Sequence, residues 1–592
     1  MCQQHEKRMS GKTIVATCPF GHGKTAGVCP AGYGRAPVKR ISFTLNLTPD
    51  DPSIQQLEKR SWEGEDGNSL LRFGPQPHHV LSPTSWVCQG VRLVSCIVSP
   101  PVKDVLEVSF RDDQNLYDTV QRFLAHGPEE FFAKVAQPDL GGGLVQVCLA
   151  GFKWVYVVTN SDVADQVVAS RDWDRGDSVY AFGRMVGSLF GTQSGKVARK
   201  GKRTFLAAVG CKGENLKVIS NTVDRAFADL YDASWTLGGV ARMERNLYKF
   251  CNDTAVGSVC RILLGSEEGN FQPDNALQVT MRAAENIVIG GTDLKSVVFG
   301  PEIRSEFCEA RDDLHGLFHQ IIVDYAPEIA KGKSYAKEWA VDQLRAQGLE
   351  ESDITEQEIA QELAENRSGV ASGLGALAAF ASFNVTRSLY FLLRVLEEQP
   401  TLRASLVAQA QTVPMDEPPT YATWSSVPLV TATVEAVLAQ LLPTCGMPRE
   451  AMVSTKLKVD GKTVTLPKGS LLVLNFASYQ KGRHNNHEQA MDPAELDVTE
   501  WMGKNTPKQW AFGRGDRACP AQHVARDVLR VVLLRLCQSD VSVDISRKVP
   551  FTHGWGGHGP LEDNLKNDPV KLVLTKQQPA DDEEIFYDCQ SA

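Results

Sequence analysis

Phe512-Gly513-Arg514-Gly515-Asp516-Arg517-Ala518-Cys519-Pro520-Ala521 is the stretch whose reading decides the fold of this chain. Its two glycines, Gly513 and Gly515, let the backbone turn tightly and come close to a flat ligand. Apolar residues at helical spacing begin directly afterwards, from about Gln522 to Leu536, so Cys519 lies just ahead of a helix N-terminus. The free N–H groups and partial positive charge of such a terminus favour a thiolate over a thiol. Arg517, just upstream of the cysteine, is placed to give a charge-assisted hydrogen bond to an anionic group. A buried cysteine capping a core helix would explain Cys519 alone, but not the Phe, Gly and Arg in register with it.

With Phe512, Gly515, Arg517 and Cys519 at these spacings, the segment resembles the haem-binding loop of the cytochrome P450 family, Phe-x-x-Gly-x-Arg-x-Cys-x-Gly. It departs at Ala521, where the family usually has Gly, a small-for-small change. The resemblance implies a mainly α fold with small β-sheets and an N-terminal extension, with haem b as cofactor. It makes Cys519 the thiolate ligand of the iron, a strong axial donor that favours O–O cleavage. Phe512, Gly513, Gly515 and Arg517 then surround the haem, Arg517 on a propionate. The run Gly195-Lys-Val-Ala-Arg-Lys-Gly-Lys202-Arg203 resembles the helix that gives a basic residue to the other propionate. Ala198 replaces the usual Trp there, and the role falls to Lys202 or Arg203; alone, the run would read as a solvated face. Arg449, after Pro448, stands where members often place a further propionate-binding arginine. Pro467-Lys468-Gly469, leading into the apolar run 470–475, also fits, and the resemblance covers roughly residues 115–577.

Around this centre the 592-residue chain has the composition of a folded protein, 42% hydrophobic and 22% charged. A net charge of −9 gives no electrostatic reason to expect nucleic acid as a partner. The 14 cysteines are scattered from Cys2 to Cys589, unlike a secreted disulfide scaffold, which suits a reducing, intracellular compartment. No stretch approaches the roughly 20 apolar residues of a membrane span, so a soluble or peripheral protein without a transmembrane segment is expected. Residues 1–40 read as a flexible leader. Lys7, Arg8, Lys12, Lys24, Arg35, Lys39 and Arg40 against Glu6 suit an organelle-targeting segment. Cys18, His22 and Cys29 lack a fourth ligand at structural-zinc spacing. Residues 41–112 form a small β-rich extension, with runs such as Val91–Val98 and Val105–Phe110. Residues 113–577 form the haem domain, and the acidic tail 578–592 reads as disordered.

Within the haem domain Leu116–Ala136 has helical spacing, and Leu144–Ala150 with Trp154–Val158 read as a hairpin. Ser161 stands as an N-cap to the next helix. From about 215 to 400 nearly everything reads as helix. The long apolar segment from Glu356 to Glu398 is interrupted by the glycines near Gly369–Gly375. Asp460-Gly461 marks a further hairpin.

Two departures bear on function. The family usually carries Glu-x-x-Arg ahead of this hairpin, tied to a second Arg before the thiolate loop, and these paired charges fix the haem-side core. Here Glu435 is followed by Leu438 in the Arg position, and Asp497-Val498-Thr499-Glu500-Trp501 has lost the second Arg. An unpaired buried carboxylate is costly, so Glu435 must find other donors, protonate or face water.

Oxygen-activating members also place an acid followed by Thr in the long distal helix, to deliver the protons that O–O heterolysis consumes. Counting back from Glu398-Gln399-Pro400, the acid position falls on Phe383 and the Thr position on Asn384. An amide accepts and donates hydrogen bonds but relays protons poorly. Asn at this place resembles the peroxide-rearranging members, prostacyclin synthase and the plant allene oxide synthases and hydroperoxide lyases, although the plant enzymes carry a loop insertion that this chain lacks. It resembles cholesterol hydroxylase-like monooxygenases equally, and a bland alternative has Asn384 capping a kink.

The resemblance thus implies a haem-thiolate enzyme for a lipophilic small molecule. The leading reading is rearrangement or cleavage of a fatty-acid hydroperoxide or endoperoxide, with Asn384 catalytic. The alternatives are a monooxygenase served by a separate reductase and a haem-binding sensor or carrier with little catalysis. The pocket is implied to be lined by the helices of 215–330 and by the turn His553–Gly559.

Overall fold

The two apolar runs Leu144–Ala150 and Trp154–Val158, separated by Gly151, predict a hairpin, and the computed structural model of the protein contains it. The structure describes residues 105–108, 140–149, 153–174, 195–210, 212–228, 240–265, 279, 283, 305–441, 446–480, 492–503, 505–548 and 570–577. All of them belong to one unit, Leu70–Ala592. The leader with Cys18, His22 and Cys29, the runs 91–98 and 116–136, the turn 553–559 and the acidic tail lie outside the described residues.

Strands β1 (Leu106–Val108), β2 (Leu144–Leu149), β3 (Lys153–Val158), β4 (Trp173–Asp174), β6 (Gly446–Ala451) and β9 (Leu471–Asn475) form a six-stranded sheet in the order β1-β2-β3-β9-β6-β4. Strands β2 and β3 pair antiparallel with Leu144 opposite Val158. β1 pairs parallel to β2, so Leu106–Val108, which the sequence reading placed in the small extension, is an edge strand of this main sheet. β5 (Val240–Asn246), β10 (Val541–Ile545) and β11 (Lys571–Gln577) form a second sheet. β7 (Thr455–Val459) and β8 (Lys462–Leu466) form the hairpin predicted at Asp460-Gly461. Both turn residues have positive φ, 47° and 72°, as a type I′ turn requires.

Among the described residues, the helices longer than two turns are α1 (Ser161–Ala169), α2 (Gly195–Val209), α3 (Lys212–Ala226), α4 (Leu247–Leu264), α5 (Ser305–Lys331), α6 (Tyr335–Ala346), α7 (Glu356–Glu365), α8 (Arg367–Glu398), α9 (Pro400–Ala410), α10 (Pro428–Leu441) and α11 (Gln522–Gln538). The fold is mainly α with small sheets, as expected. The cap of α1 is not Ser161 but the preceding Asn160, whose Oδ1 accepts from the Val163 amide at 2.9 Å. Ser161 is the first helical residue.

α8 corrects a second expectation. Its glycines do not interrupt it; the break between α7 and α8 falls at Asn366. A side chain is missing at Gly375 because α5 presses there: a Cβ would lie 3.0 Å from Leu314. Packing against α4, α5, α10 and α11 repays the low helix propensity of glycine. Gly369–Glu398 is also the one helix among the described residues long and apolar enough to cross a membrane, with mean hydropathy 1.3. Here 76% of that window is buried, so its apolarity serves the core. Counting apolar side chains missed it because Gly, Ala and Ser fill so much of its length.

Candidate functional site

The thiolate loop starts from a fully buried anchor. Trp510 stacks on Phe476 with ring centres 5.7 Å apart and meets the edge of Tyr479 at 4.8 Å. The Gly513 amide returns to the Trp510 carbonyl at 2.8 Å with Gly513 at φ 64°. A single 3₁₀ turn covers Gly515–Arg517, and the Cys519 amide closes the loop onto the Phe512 carbonyl at 2.8 Å. α11 then begins at Gln522, so Cys519 does lie ahead of a helix N-terminus. Cys519 is part-exposed, whereas Cys251, Cys260, Cys308 and Cys537 are buried. Burial pushes the Cys260 and Cys537 thiols up to about 12, which leaves them inert.

Gly515 is required twice over. Its φ is 68°, and a Cβ there would sit 2.4 Å from the Val168 carbonyl oxygen of α1. Gly515→Ala is expected to cost roughly 2–4 kcal/mol through left-handed strain plus that overlap. A thermal-unfolding midpoint equal to the wild type would refute the close approach.

α1 and its neighbours hold the loop by charge. Asp165 of α1 pairs with Lys508 at 2.5 Å and lies 3.8 Å from Arg514, whose guanidinium covers the Trp510 ring at 5.4 Å. Arg517 is ion-paired with Asp174 of β4, both side chains being 16% exposed. Lys202 of α2 donates to the Asp516 carbonyl at 2.8 Å, while Arg203 is exposed. Of the two basic candidates on α2, Lys202 is therefore the one that touches the loop. Arg449 is buried in β6 and donates to the Pro448 carbonyl at 2.8 Å. β6 also pairs with β4, with Asp174 opposite Glu450, so one sheet edge gathers Arg449 and Asp174, the partner of Arg517.

This donor set fits haem. A part-exposed cysteine stands at the end of a glycine-bearing loop, and Arg517, Lys202 and Arg449 are the cations that would face the two carboxylates of a bound haem. The indole N–H of Trp173, next to Asp174, is buried with no hydrogen-bond partner, a donor left available beside that cationic edge. Arg517, with its Asp174 partner, would then have to share or exchange that carboxylate for a propionate.

α8 forms the distal element. Its middle section is buried except at Leu377, Phe380 and Asn384, which recur at i, i+3 and i+7 and so form one accessible stripe. The Phe383 side chain lies outside the described residues. Asn384 Oδ1 is buried without a hydrogen-bond partner. Neighbouring hydroxyls are occupied elsewhere. Ser382 and Thr386 both donate to Oδ1 of Asn252 on α4, at 2.5 and 3.4 Å, and Ser388 donates to the Asn384 carbonyl at 2.9 Å. Nothing local to α8 points to Asn252, which lies 130 residues from Ser382.

Glu435 of α10 has found other donors. Arg526 of α11 binds it through two bonds, 2.5 and 3.2 Å, and Gln509 donates to its carboxylate at 3.3 Å. The sequence reading missed both residues; the spacing Arg526–Arg530 on the helix after Cys519 was the available signal.

The family model for cytochrome P450 matches residues 151–539. No curated protein matches the chain. Among solved structures, the retinoic acid bound cyanobacterial CYP120A1 is similar in fold, with a TM-score of 0.51 at 14% identity over 73% of this chain and 91% of that one. With the loop, the flanking cations and the long distal helix in place, the chain belongs to the cytochrome P450 family, whose members bind haem through an axial cysteine thiolate.

Proposed function

We propose that Cys519 is the axial ligand, and that this haem-thiolate enzyme rearranges or cleaves a lipophilic peroxide without a reductase. The observation that carries this reading is the buried, unpartnered Oδ1 of Asn384 on the accessible stripe of α8. A buried amide acceptor without a partner costs about 1–3 kcal/mol, a cost that a ligand hydrogen bond would relieve. The hydroxyls within a turn of it are held by Asn252 or by the helix backbone, so none of them is offered as a proton relay.

Bound haem supplies the iron at which an O–O bond is cleaved. Arg517, Lys202 and Arg449 would hold its propionates. Asn384 would accept from a hydroperoxide O–H or donate to a peroxide oxygen, and so fix which oxygen approaches the iron. Leu377 and Phe380, on the same stripe, exclude water and offer apolar contact to an acyl chain. An isomerisation of this kind conserves all atoms of the substrate and draws no external electrons, so it needs no proton relay.

The test is the haem-loaded protein mixed with a polyunsaturated fatty-acid hydroperoxide under argon, without NADPH or reductase. Rapid loss to defined isomers or aldehydes that free haem does not give is the expected result. Turnover of a lipophilic substrate only with NADPH and a reductase would make it a monooxygenase. Haem binding with neither activity would make it a sensor or carrier.

A further inference from the structure

One side chain, that of Arg526, reaches the chain on both sides of Cys519. The Arg526 guanidinium lies over the Phe512 ring, 4.5 Å from its centre, and Phe512 is the residue whose carbonyl holds the Cys519 amide. The same guanidinium donates to Oε1 of Gln522 at 3.0 Å, at the first residue of the helix that follows the cysteine. Its other two nitrogens, Nε and Nη2, grip Glu435 of α10. Glu435 in turn takes the Gln509 amide, through its carboxylate at 3.3 Å and its backbone carbonyl at 3.1 Å, and Gln509 lies just before the Trp510 anchor. Run-in, loop and exit helix therefore meet at a single ion pair whose side chains are 17% and 16% exposed.

We propose that Arg526 is the positioning residue of the iron ligand: bidentate on Glu435 and stacked on Phe512, it sets where the Cys519 sulfur stands. The proposal rests on Cys519 holding the iron. A planar guanidinium suits this post because it can pair with a carboxylate and stack on a ring at once, which an ammonium cannot. Arg530, one turn further on, does not duplicate the role. It is 3.7 Å from Glu435, lies 3.4 Å from Asp527 and covers Trp424 rather than Phe512. Asp527 is held separately by the Tyr421 hydroxyl at 2.6 Å.

The test compares reduced, CO-bound spectra of the haem-loaded variants Arg526→Gln, Arg526→Lys, Arg535→Gln and Cys519→Ser. Arg535 is a buried arginine of the same helix, paired with Asp224 at 2.9 Å and remote from the loop, so its loss controls for stability alone. Arg526→Gln is expected to lose the greater part of the thiolate-type band while retaining haem. Arg526→Lys, which keeps the charge and so the fold, should fall between it and the wild type. Arg535→Gln should keep the wild-type band at a lowered melting temperature. A wild-type band in Arg526→Gln overturns the proposal, as does equal loss in Arg526→Gln and Arg535→Gln. Should Arg526→Gln fail to fold, a wild-type band in Arg526→Lys overturns it as well. A thiolate-type band surviving in Cys519→Ser instead removes the ligand assignment beneath it.

Discussion

Haem reconstituted into the Cys519→Ser protein is expected to show no thiolate-type reduced-CO band, and its peroxide turnover should fall to that of free haem. The substitution is mild for the fold. Loop closure runs through the backbone of residue 519, whose amide reaches the Phe512 carbonyl, and the side chain is only part-buried. What changes is the ligand: a serine hydroxyl ionises far too weakly to replace a thiolate at neutral pH. Four other cysteines are closed to this role. Cys251, Cys260, Cys308 and Cys537 are buried, and burial drives the Cys251 thiol up most of all, with Asp253 adding to it. Spectra recorded on the substituted protein decide the matter, since an unchanged band would mean that another residue holds the iron.

The parts of the site legible in the sequence are those built from neighbours in the chain. The thiolate loop is one such part, because its turns, its cysteine and its helix start lie within a single short stretch. The Asp460-Gly461 hairpin is another, because a type I′ turn selects its residues locally. Side chains of similar chemistry side by side were harder. Asn160 and Ser161 are both good caps, and only the helix register shows which reaches the Val163 amide. Lys202 and Arg203 are both cations, and only the packing of α2 against the loop brings Lys202 to Asp516.

The rest was hidden because long-range contacts decide it. Glycines in α8 read as breakers until Trp339 and Tyr335 of α6 fill the space beside Gly369 and Gly373, and Leu314 of α5 the space beside Gly375. The family pattern places the partner of Glu435 at Leu438 and before the loop, whereas Arg526 lies 91 residues on, in the helix beyond the cysteine. A carboxylate fixes a need for a cation but not the address from which it comes.

Asn384→Ala is expected to keep haem and the thiolate-type spectrum while lowering the rate of peroxide rearrangement by roughly 10²- to 10³-fold, the usual loss for one oriented hydrogen-bonding group at a reacting oxygen. Stability should stay level or rise slightly, because the deletion removes a buried acceptor that the folded chain does not satisfy. The two effects run in opposite directions, and that opposition separates a substrate-orienting amide from a structural one. α8 is continuous through this position, so the amide caps no break in the helix. A residue that served the helix alone would show its loss in melting temperature and leave turnover untouched. Asn384→Asp refines the result: it keeps the size but exchanges the NH2 donors for a second acceptor. If the amide donates to a peroxide oxygen, the Asp variant should be as slow as Ala. If it accepts from the hydroperoxide O–H, the Asp variant should retain much of the rate. Wild-type turnover in Asn384→Ala would remove the amide from the chemistry and leave the monooxygenase reading as the stronger one.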